Sequence, residues 1–284
     1  MSRVVLHLSD LHFGRIAPAL PEALLKAAQQ IAPDLVVVSG DLTQRAKIVE
    51  FQQAHAFLEQ LPYPRLVVPG NHDVPLHNLY ARFVHRLSRF QTYISADLEP
   101  VYEDPEMAVF GVNTARSSTW KGGRINSRQI EGLRTRLCAT SPGVARIVVT
   151  HHPFEVPPGF HHRELVGSAR AALERWTDCG ADLLLCGHLH VGESTTTLQR
   201  YSHVGWQAIV VAAGTATSTR GRGAANSFNV IRVEDRQIVD VSKWTWDETA
   251  GGFQESSEAR FVRTEAGWVR RDDSSGEPVR TAPV

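Results

Sequence analysis

Arg65-Leu66-Val67-Val68-Pro69-Gly70-Asn71-His72-Asp73 is the stretch from which the fold of this 284-residue chain is best understood. Its first four residues form a short run rich in apolar side chains. Such a run predicts a buried strand, which Pro69 ends. The four residues from Gly70 to Asp73 resemble a simple turn when they are taken alone. Their role becomes clear only by comparison with other parts of the chain in which polar residues also follow an apolar run.

That arrangement, an apolar run followed directly by polar residues, occurs four more times. The polar stretches are Asp10-Leu11-His12, Gly40-Asp41, His151-His152-Pro153 and Gly187-His188-Leu189-His190. In the first seventy residues the unit is strand, polar loop and helix, with strands predicted over 4–8, 35–38 and 65–68 and helices over 18–32 and 46–61. Asp10, Asp41 and Asn71 are about thirty residues apart, the size of a βαβ unit, so we expect neighbouring parallel strands. Ligands bind at the carboxyl ends of such strands.

The rest of the chain carries further helix and strand patterns. They predict helices over 76–94, 127–138 (capped by Ser127) and 168–179, and strands over 107–112, 146–150 and 182–186. Four further strands are predicted, over 195–201, 207–211, 227–233 and 237–244, and they indicate an antiparallel part of the sheet system. Residues 261–269 indicate a last hairpin. From Arg271 onward the composition predicts a flexible tail. We therefore expect a main domain over residues 1–245 and an extension over 246–284 that holds the hairpin and the tail.

Composition argues against several classes of protein. Hydrophobic residues make up 42% of the chain, which is enough for a large core. Lys and Arg together number 30, as do Asp and Glu, so the zero net charge gives no sign of a general nucleic-acid binder. The apolar runs are too short to span a bilayer. Cys138, Cys179 and Cys186 are odd in number and lack a pattern, so we predict no disulfide framework and expect a cytoplasmic protein.

Seven polar residues at the predicted strand ends have the character of metal ligands. They are Asp10, His12, Asp41, Asn71, His151, His188 and His190. Two carboxylates, one amide and four imidazoles, without a thiolate, suit two divalent ions such as Mn, Fe, Zn or Co. Asp41 is the candidate bridge, because its two oxygens can bind one ion each. Taken alone, Asp10 or Gly-Asn-His-Asp is more often a turn, and Gly-His-Leu-His is a turn or a metal site with equal frequency. Five strand ends that all carry potential ligands, however, predict a metal site.

The series Asp-x-His, Gly-Asp, Gly-Asn-His-Asp, His-His-Pro and Gly-His-x-His resembles the five motifs of the calcineurin-like metallophosphoesterase superfamily, in the same order, over residues 4–190. The resemblance implies an α/β fold, specifically a four-layer α/β/β/α sandwich with mixed sheets and a metal site at the carboxyl ends of the strands. It also implies two metal positions: Asp10, His12, Asp41 and His190 hold one ion, and Asp41, Asn71, His151 and His188 hold the other.

Two residues of the opening stretch become candidate catalytic residues through this resemblance. The reaction it implies is in-line attack on a phosphoester by a hydroxide between the two metals. His72 contacts the phosphate and stabilises its charge, or protonates the leaving oxygen. Asp73 raises the pKa of His72 or orients its ring, and a simple turn role for Asp73 is an equal alternative.

The motifs indicate the reaction class more closely than the substrate. They resemble the bacterial cyclic-nucleotide phosphodiesterase and glycerophosphodiesterase branch. Protein phosphatases of the superfamily carry Gly-Asp-x-x-Asp-Arg-Gly and Gly-Asn-His-Glu, from which residues 40–45 and Asp73 depart. We expect a small phosphodiester substrate, with 3′,5′-cyclic AMP favoured. The alternatives are a broader phosphodiesterase or phosphomonoesterase, acting for example on glycerophosphodiesters or nucleotide-lipid pyrophosphates, and a non-catalytic binding scaffold.

Several residues outside the ligand set keep two interpretations. His152 belongs to the loop or supports its ligand neighbour. His161 and His162, in a long loop rich in Pro and Gly, either line the substrate pocket or are exposed. Cationic loop residues either bind substrate or are solvated: Arg116, Lys121 and Arg124. The aromatic residues of the C-terminal strands pack in the core, cover the pocket or form the contact of a homodimer.

Overall fold

The computed structural model describes residues 2–76, 79–118, 121–221 and 223–271. Within these residues the helices are α1 (Leu20–Ile31), α2 (Ile48–Leu58), α3 (Leu79–Val84), α4 (Ser88–Tyr93), α5 (Ser127–Ala139), α6 (Ala169–Arg175) and α7 (Leu198–Tyr201). The strands are β1 (Ser2–Leu8), β2 (Leu35–Val38), β3 (Arg65–Val67), β4 (Val101–Glu103), β5 (Met107–Gly111), β6 (Ala145–Val149), β7 (Leu183–Cys186), β8 (Glu193–Thr196), β9 (Ile209–Ala212), β10 (Ser227–Glu234), β11 (Ile238–Asp247), β12 (Gly252–Thr264) and β13 (Gly267–Arg271).

The strands form two sheets. One has the order β13-β12-β11-β10-β1-β2-β3, and its strands β1, β2 and β3 run parallel, as the thirty-residue spacing predicts. The other has the order β4-β5-β6-β7-β9-β8, in which β5, β6, β7 and β9 are parallel and the two edge strands are antiparallel. Both sheets are therefore mixed, and each has a parallel block.

Three apolar clusters separate four layers. The first lies between the sheets and is built from strand residues such as Val37, Val109 and Leu185. The second lies between the first sheet and helices α1, α2 and α4, and the third between the second sheet and helices α5 and α6. Strands buried on both faces need unbroken apolar runs, which is why β2 reads Leu-Val-Val-Val. The predicted α/β/β/α sandwich is confirmed.

Local differences from the sequence predictions have local causes. The helix predicted over 76–94 is two short helices, α3 and α4, and the cap of α5 is Asn126, whose side chain accepts from the backbone N–H of Gln129. The strand predicted over 195–201 ends early because α7 begins at Leu198. The edge strand β4 has no counterpart among the predictions. Most important for the site, β9 pairs antiparallel with the edge strand β8, as predicted, but on its other side it runs parallel to β7, which was not predicted.

The C-terminal strands belong to the first sheet. β11 crosses the predicted boundary between residues 245 and 246, and β12 pairs with it on both sides of that position. Phe261 and Trp268 are 0% and 3% exposed in the cluster between the sheets, so core packing is confirmed for these two aromatic residues. The division at residue 245 stays a prediction, and the predicted tail lies outside the described residues except for Arg271.

Cys138 and Cys179 form a disulfide that the sequence pattern failed to predict. The two cysteines are 41 residues apart. They meet because the end of α5 packs beside the 3-10 turn Thr177–Cys179. The sequence indicated no disulfide framework, and this single bridge was not foreseen; Cys186 is a buried free thiol. The cytoplasmic location, which relied in part on that prediction, stays a prediction.

Candidate metal centre

All seven predicted metal ligands lie on loops that leave the parallel strands at one edge of the sandwich. Those from the first sheet follow β1, β2 and β3, and those from the second follow β6 and β7. Each of the seven is buried, with 8% exposure or less. Carboxylates and imidazoles so deeply buried require compensation by opposite charge, hydrogen bonds or a bound cation.

Asp10 lies at the centre of one group. The Nε2 atom of His190 is 3.4 Å from its Oδ1 atom, and the Nε2 atom of His12 is 3.5 Å from the same oxygen. These three side chains offer ligand atoms that all lie within 4.8 Å of one another. The group has the size and donor types of one metal position.

Asp41 joins this group to a second one. Its Oδ2 atom is 3.8 Å from the Nε2 atom of His12 and 3.4 Å from the Nε2 atom of His151. Its Oδ1 atom instead accepts the backbone N–H of His72 at 2.8 Å. The single oxygen Oδ2 thus faces both groups, which differs from the expected arrangement of one oxygen for each ion.

Asn71 ties the second group together. Its Oδ1 atom lies 3.1 Å from the Nε2 atom of His151 and 3.1 Å from the Nδ1 atom of His188. With Asp41 Oδ2 beside His151, the second group therefore offers two oxygens and two imidazole nitrogens. The structure brings together all seven residues that the sequence singled out.

The unpaired atoms of the cluster fit a cation. Within the described structure, Asp10 Oδ1 and His12 Nε2 are buried without a hydrogen-bond partner, although they face each other. Burial opposes ionisation of Asp10 and Asp41, but the surrounding imidazoles outweigh it and lower the pKa of both carboxyls. Burial likewise opposes the charged form of His151, but Asp41 and other neighbours raise its pKa to about 9. The cluster thus attracts positive charge, as a divalent ion would require.

The backbone is strained where the ligands lie. Five of the seven have left-handed φ angles: Asp10 (53°), His12 (49°), Asp41 (54°), His188 (73°) and His190 (60°). Non-glycine residues adopt this region at a cost of about 1–3 kcal/mol each and do so mainly at functional sites. Gly187 lacks this strain but must be glycine, because an added Cβ atom would lie 1.8 Å from the Oγ atom of Ser9. The local conformation thus serves the placement of side chains.

Each predicted imidazole ligand is anchored through its other ring nitrogen. Three anchors are neutral oxygens: the carbonyl of Thr43 for His12 (3.3 Å), the carbonyl of Ser39 for His151 (2.8 Å) and the hydroxyl of Thr215 for His190 (2.6 Å). The fourth is a carboxylate, since the Nε2 atom of His188 lies 3.0 Å from Oε2 of Glu164. Such anchors fix the tautomer and the orientation of metal-binding histidines.

His72 lies beside the cluster, with its ring centroid 4.9 Å from that of His12. Its Nδ1 atom is 2.8 Å from the carbonyl of Gln44, and its Nε2 atom is 2.7 Å from Nη1 of Arg220. Because a guanidinium has only donors, this network assigns the ring proton to Nδ1, which leaves Nε2 as the acceptor. In this state His72 carries no Nε2 proton that it can give to a leaving group.

Asp73 has a structural role in this geometry. Its carboxylate accepts the backbone N–H groups of Gly70 and Thr43, both at 2.9 Å, and the hydroxyl of Thr43. Burial and the neighbouring Asp41 raise its pKa to about 6. The prediction that Asp73 orients the His72 ring is not supported, because Gln44 and Arg220 hold that ring. The alternative turn role fits: Asp73 joins the loops after β2 and β3.

His152 lies close enough to His151 and His188 to offer a ligand atom, but both of its nitrogens are engaged elsewhere. Nδ1 is 2.8 Å from the hydroxyl of Thr114, and Nε2 is 2.8 Å from the carbonyl of Lys121. These hydrogen bonds, rather than its proximity to the cluster, decide its role. His152 secures the loop after β5, as the loop interpretation predicts.

The remaining residues with two interpretations make no hydrogen bond or ion pair to a predicted metal ligand among the described residues. The side chains of four of them are exposed: Lys121, Arg124, His161 and His162. Arg116 is half-buried and bonds to the carbonyls of Asn113 and Ala115 and to the side chain of Gln129. None of these contacts reaches a predicted metal ligand.

Sequence reasoning missed Thr215 and Arg220, which lie on the loop after β9. A signal for them existed, because β9 is parallel to β7 and its carboxyl end opens onto the same edge. The antiparallel assignment of this strand concealed it. Glu164 was missed for another reason. It lies in the 3-10 turn His162–Glu164, and no motif links it to His188.

A two-sheet sandwich with buried carboxylates and histidines at its strand ends defines a class of metal-binding α/β/β/α proteins. The model of the calcineurin-like phosphoesterase family matches residues 3–192, more than half of the chain. The chain belongs to this family.

Two individual relatives share less than 30% sequence identity with the chain over the matched residues. A probable cyclic nucleotide phosphodiesterase of Synechococcus sp. is 24% identical over 162 residues, which are 54% of this chain and 59% of the relative. A probable glycerophosphodiester phosphodiesterase of Arcobacter nitrofigilis is 28% identical over 185 residues, which are 63% of this chain and 61% of the relative. The chain thus matches only about three fifths of the length of each relative.

Solved structures support the fold alone. A purple acid phosphatase from yellow lupin seeds (Lupinus luteus) has a TM-score of 0.69 at 14% identity and covers 91% of this chain and 53% of its own. A dimetal phosphatase from Danio rerio has a TM-score of 0.65 at 13% identity, with coverage of 92% and 99%. Among the described residues, no helix is long and apolar enough to cross a membrane.

Proposed function

We propose that this chain is a metal-dependent phosphodiester hydrolase that uses two divalent ions, Mn, Fe or Zn. The observation that carries the proposal is the convergence of seven buried ligand residues on two adjoining groups that share Asp41. Among the described residues, Asp10 Oδ1 and His12 Nε2 find no hydrogen-bond partner within these groups. The family of the chain supports the same conclusion.

The proposed ligand sets follow the two groups. Asp10, His12, Asp41 and His190 hold one ion, and Asp41, Asn71, His151 and His188 hold the other. The short distances from Asp41 Oδ2 to His12 and His151 support its role as the shared ligand. Divalent ions held by these residues would activate water as the nucleophile at neutral pH and would neutralise charge on the phosphoryl group.

The chain itself supplies the phosphate contacts. Arg220 and His72 meet at 2.7 Å beside the cluster, so that both can face the same phosphoryl group. The guanidinium of Arg220 offers a pair of donors that match phosphoryl oxygens. With its ring proton on Nδ1, His72 holds Arg220 through Nε2 and has no remaining N–H for the phosphate, so its proposed contact with the phosphate requires a second ring proton, on Nε2. Asp73 fixes the loop from which His72 projects.

The proposed substrate is a small phosphodiester, and 3′,5′-cyclic AMP is the favoured candidate. The relative from Synechococcus, named as a cyclic nucleotide phosphodiesterase, supports it. The relative from Arcobacter nitrofigilis, named as a glycerophosphodiester phosphodiesterase, supports glycerophosphodiesters as the second candidate. A homodimer and a cytoplasmic location accompany this function as predictions.

A direct assay separates these possibilities. The metal-free protein is loaded with Mn²⁺ and given cyclic AMP, glycerophosphocholine, bis-p-nitrophenyl phosphate and p-nitrophenyl phosphate in parallel. We expect a higher kcat/KM for the diesters than for the monoester and, among the natural diesters, for cyclic AMP. A strong preference for the monoester would overturn the phosphodiesterase proposal.

Two variants test the site in the same assay. Asn71→Ala removes an oxygen that faces both His151 and His188, and we expect it to lower turnover by about 10²-fold or more. Asn126→Ala is the matched control, because it removes the cap of α5 far from the cluster and should leave turnover per folded molecule unchanged. Full activity of Asn71→Ala would contradict the ligand assignment.

A further inference from the structure

Glu164 connects a surface loop to the candidate metal centre. It lies in the long loop after β6, in the 3-10 turn His162–Glu164. Its Oε2 atom is 3.0 Å from Nε2 of His188, with side chains only 12% and 6% exposed. A carboxylate at this distance and this degree of burial forms a strong, charge-assisted hydrogen bond with an imidazole N–H.

The orientation of His188 shows what this contact does. Nδ1 faces Asn71 Oδ1 within the cluster, whereas Nε2 faces Glu164 on the outside. Glu164 therefore does not share the cluster as a ligand. It holds the ring proton on Nε2 and leaves the Nδ1 lone pair directed at the second group.

The charges of the two metal positions differ, and Glu164 reduces the difference. The first proposed position has two carboxylates, Asp10 and Asp41. The second has only the shared Asp41, besides the neutral Asn71 and two imidazoles. Among the four predicted imidazole ligands, His188 is the one whose second ring nitrogen meets a carboxylate, and it belongs to the position with less negative charge.

We propose that Glu164 is a positioning residue that supplies the second metal position with the negative charge and ring orientation that its own ligands lack. This inference rests on the proposed binuclear site. It gives the loop over residues 153–167 a function, because the loop must be folded for Glu164 to reach His188. Partners of this kind typically raise metal affinity by about 10–100-fold.

The experiment measures metal binding to the full chain without substrate. Mn²⁺ is titrated into the metal-free wild type and into Glu164→Ala and Glu164→Gln, with isothermal calorimetry for the affinities and electron paramagnetic resonance for the coupled pair of ions. Glu164→Ala should weaken one of two sites by about 10–100-fold and leave the other unchanged. Glu164→Gln, which keeps an acceptor but loses the charge, should fall between Glu164→Ala and the wild type.

The matched control is Glu155→Gln, the same chemical change in the same loop. Glu155 pairs with Arg200 at 2.6 Å and does not contact a predicted ligand. We expect its Mn²⁺ affinities to stay within about twofold of the wild type and the coupled signal to persist. Loss of the coupled signal in Glu164→Ala alone, at Mn²⁺ concentrations that saturate the wild type, would support the inference.

Four results would overturn the inference. The first is wild-type affinity at both sites in Glu164→Ala. The second is an equal loss at both sites and the third is the same loss in Glu155→Gln, since either would indicate general damage to the loop. A wild type that fails to bind two Mn²⁺ ions would refute the proposed function itself, and the role of Glu164 would fall with it.

Discussion

At the scale of single residues, position relative to a strand end was the most informative property. The seven proposed ligands directly follow buried apolar runs, and the sequence alone therefore located them. Glu164 could not be located in this way, because it reaches the cluster through a long loop. Arg220 follows β9 and was missed because the parallel pairing of β9 with β7 was not predicted. The role of a single side chain such as Asp73 could not be predicted either. Whether Asp73 orients the His72 ring or binds backbone amides depends on the backbone and side-chain torsion angles of the folded loop, which the sequence does not give.

Arg220 gives a prediction at this scale. Replacing Arg220 with Ala removes a donor pair beside the proposed phosphate position, and we expect kcat/KM for bis-p-nitrophenyl phosphate to fall by about 10²-fold. Lysine keeps the charge but loses the planar fork, so Arg220→Lys should lose about tenfold. Metal content, measured by mass spectrometry, should not change, because Arg220 is not a proposed ligand.

Arg45→Ala is the control for this series. Arg45 is an exposed arginine next to Gln44, whose carbonyl lies against His72, and its replacement should leave kcat/KM unchanged. If Arg220→Ala retained activity within about threefold of the wild type, or lost its metal, the proposed phosphate contact would be wrong.

At the scale of helices and strands, periodicity predicted the type of most elements but not their direction. The apolar run of β9 fits a parallel or an antiparallel strand equally well. Its neighbours decide the direction: β9 pairs with β7 on one side and with the short edge strand β8 on the other. The parallel pairing with β7 was not predicted, and so the loop after β9, which carries Thr215 and Arg220, was not assigned to the site.

The disulfide gives a prediction at this scale, because it joins the end of α5 to the turn after α6. A cross-link that closes a loop of 41 residues restricts the unfolded chain and should stabilise the fold by about 3–4 kcal/mol. Cys138→Ser should lower the free energy of unfolding by this amount in urea titrations of the oxidised protein. A reductant should destabilise the wild type equally and leave Cys138→Ser unchanged. No effect of reductant on the wild type would show that the cross-link contributes nothing.

At the scale of the whole molecule, the two sheets are joined by an apolar cluster and by the metal centre at one edge. The repeat of strand, loop and helix made the first parallel block predictable. The packing of two sheets, in contrast, was implied only by the family resemblance, because apolar runs do not specify which strands share a sheet. The proposed ligands come from both sheets, so a bound ion connects the two halves of the sandwich.

This connection predicts that metal binding stabilises the entire fold. Without an ion, the buried carboxylates Asp10 and Asp41 lie close together and repel each other. An ion that binds only the folded chain stabilises it by about 2.7 kcal/mol when its concentration is 100 times its Kd. Calorimetry should therefore show a rise of several degrees in Tm on addition of Mn²⁺ to the metal-free protein, reversed by a chelator. In Asp41→Asn, which lacks the shared carboxylate, Mn²⁺ should raise Tm far less. An equal rise in both proteins would place the stabilising ion elsewhere.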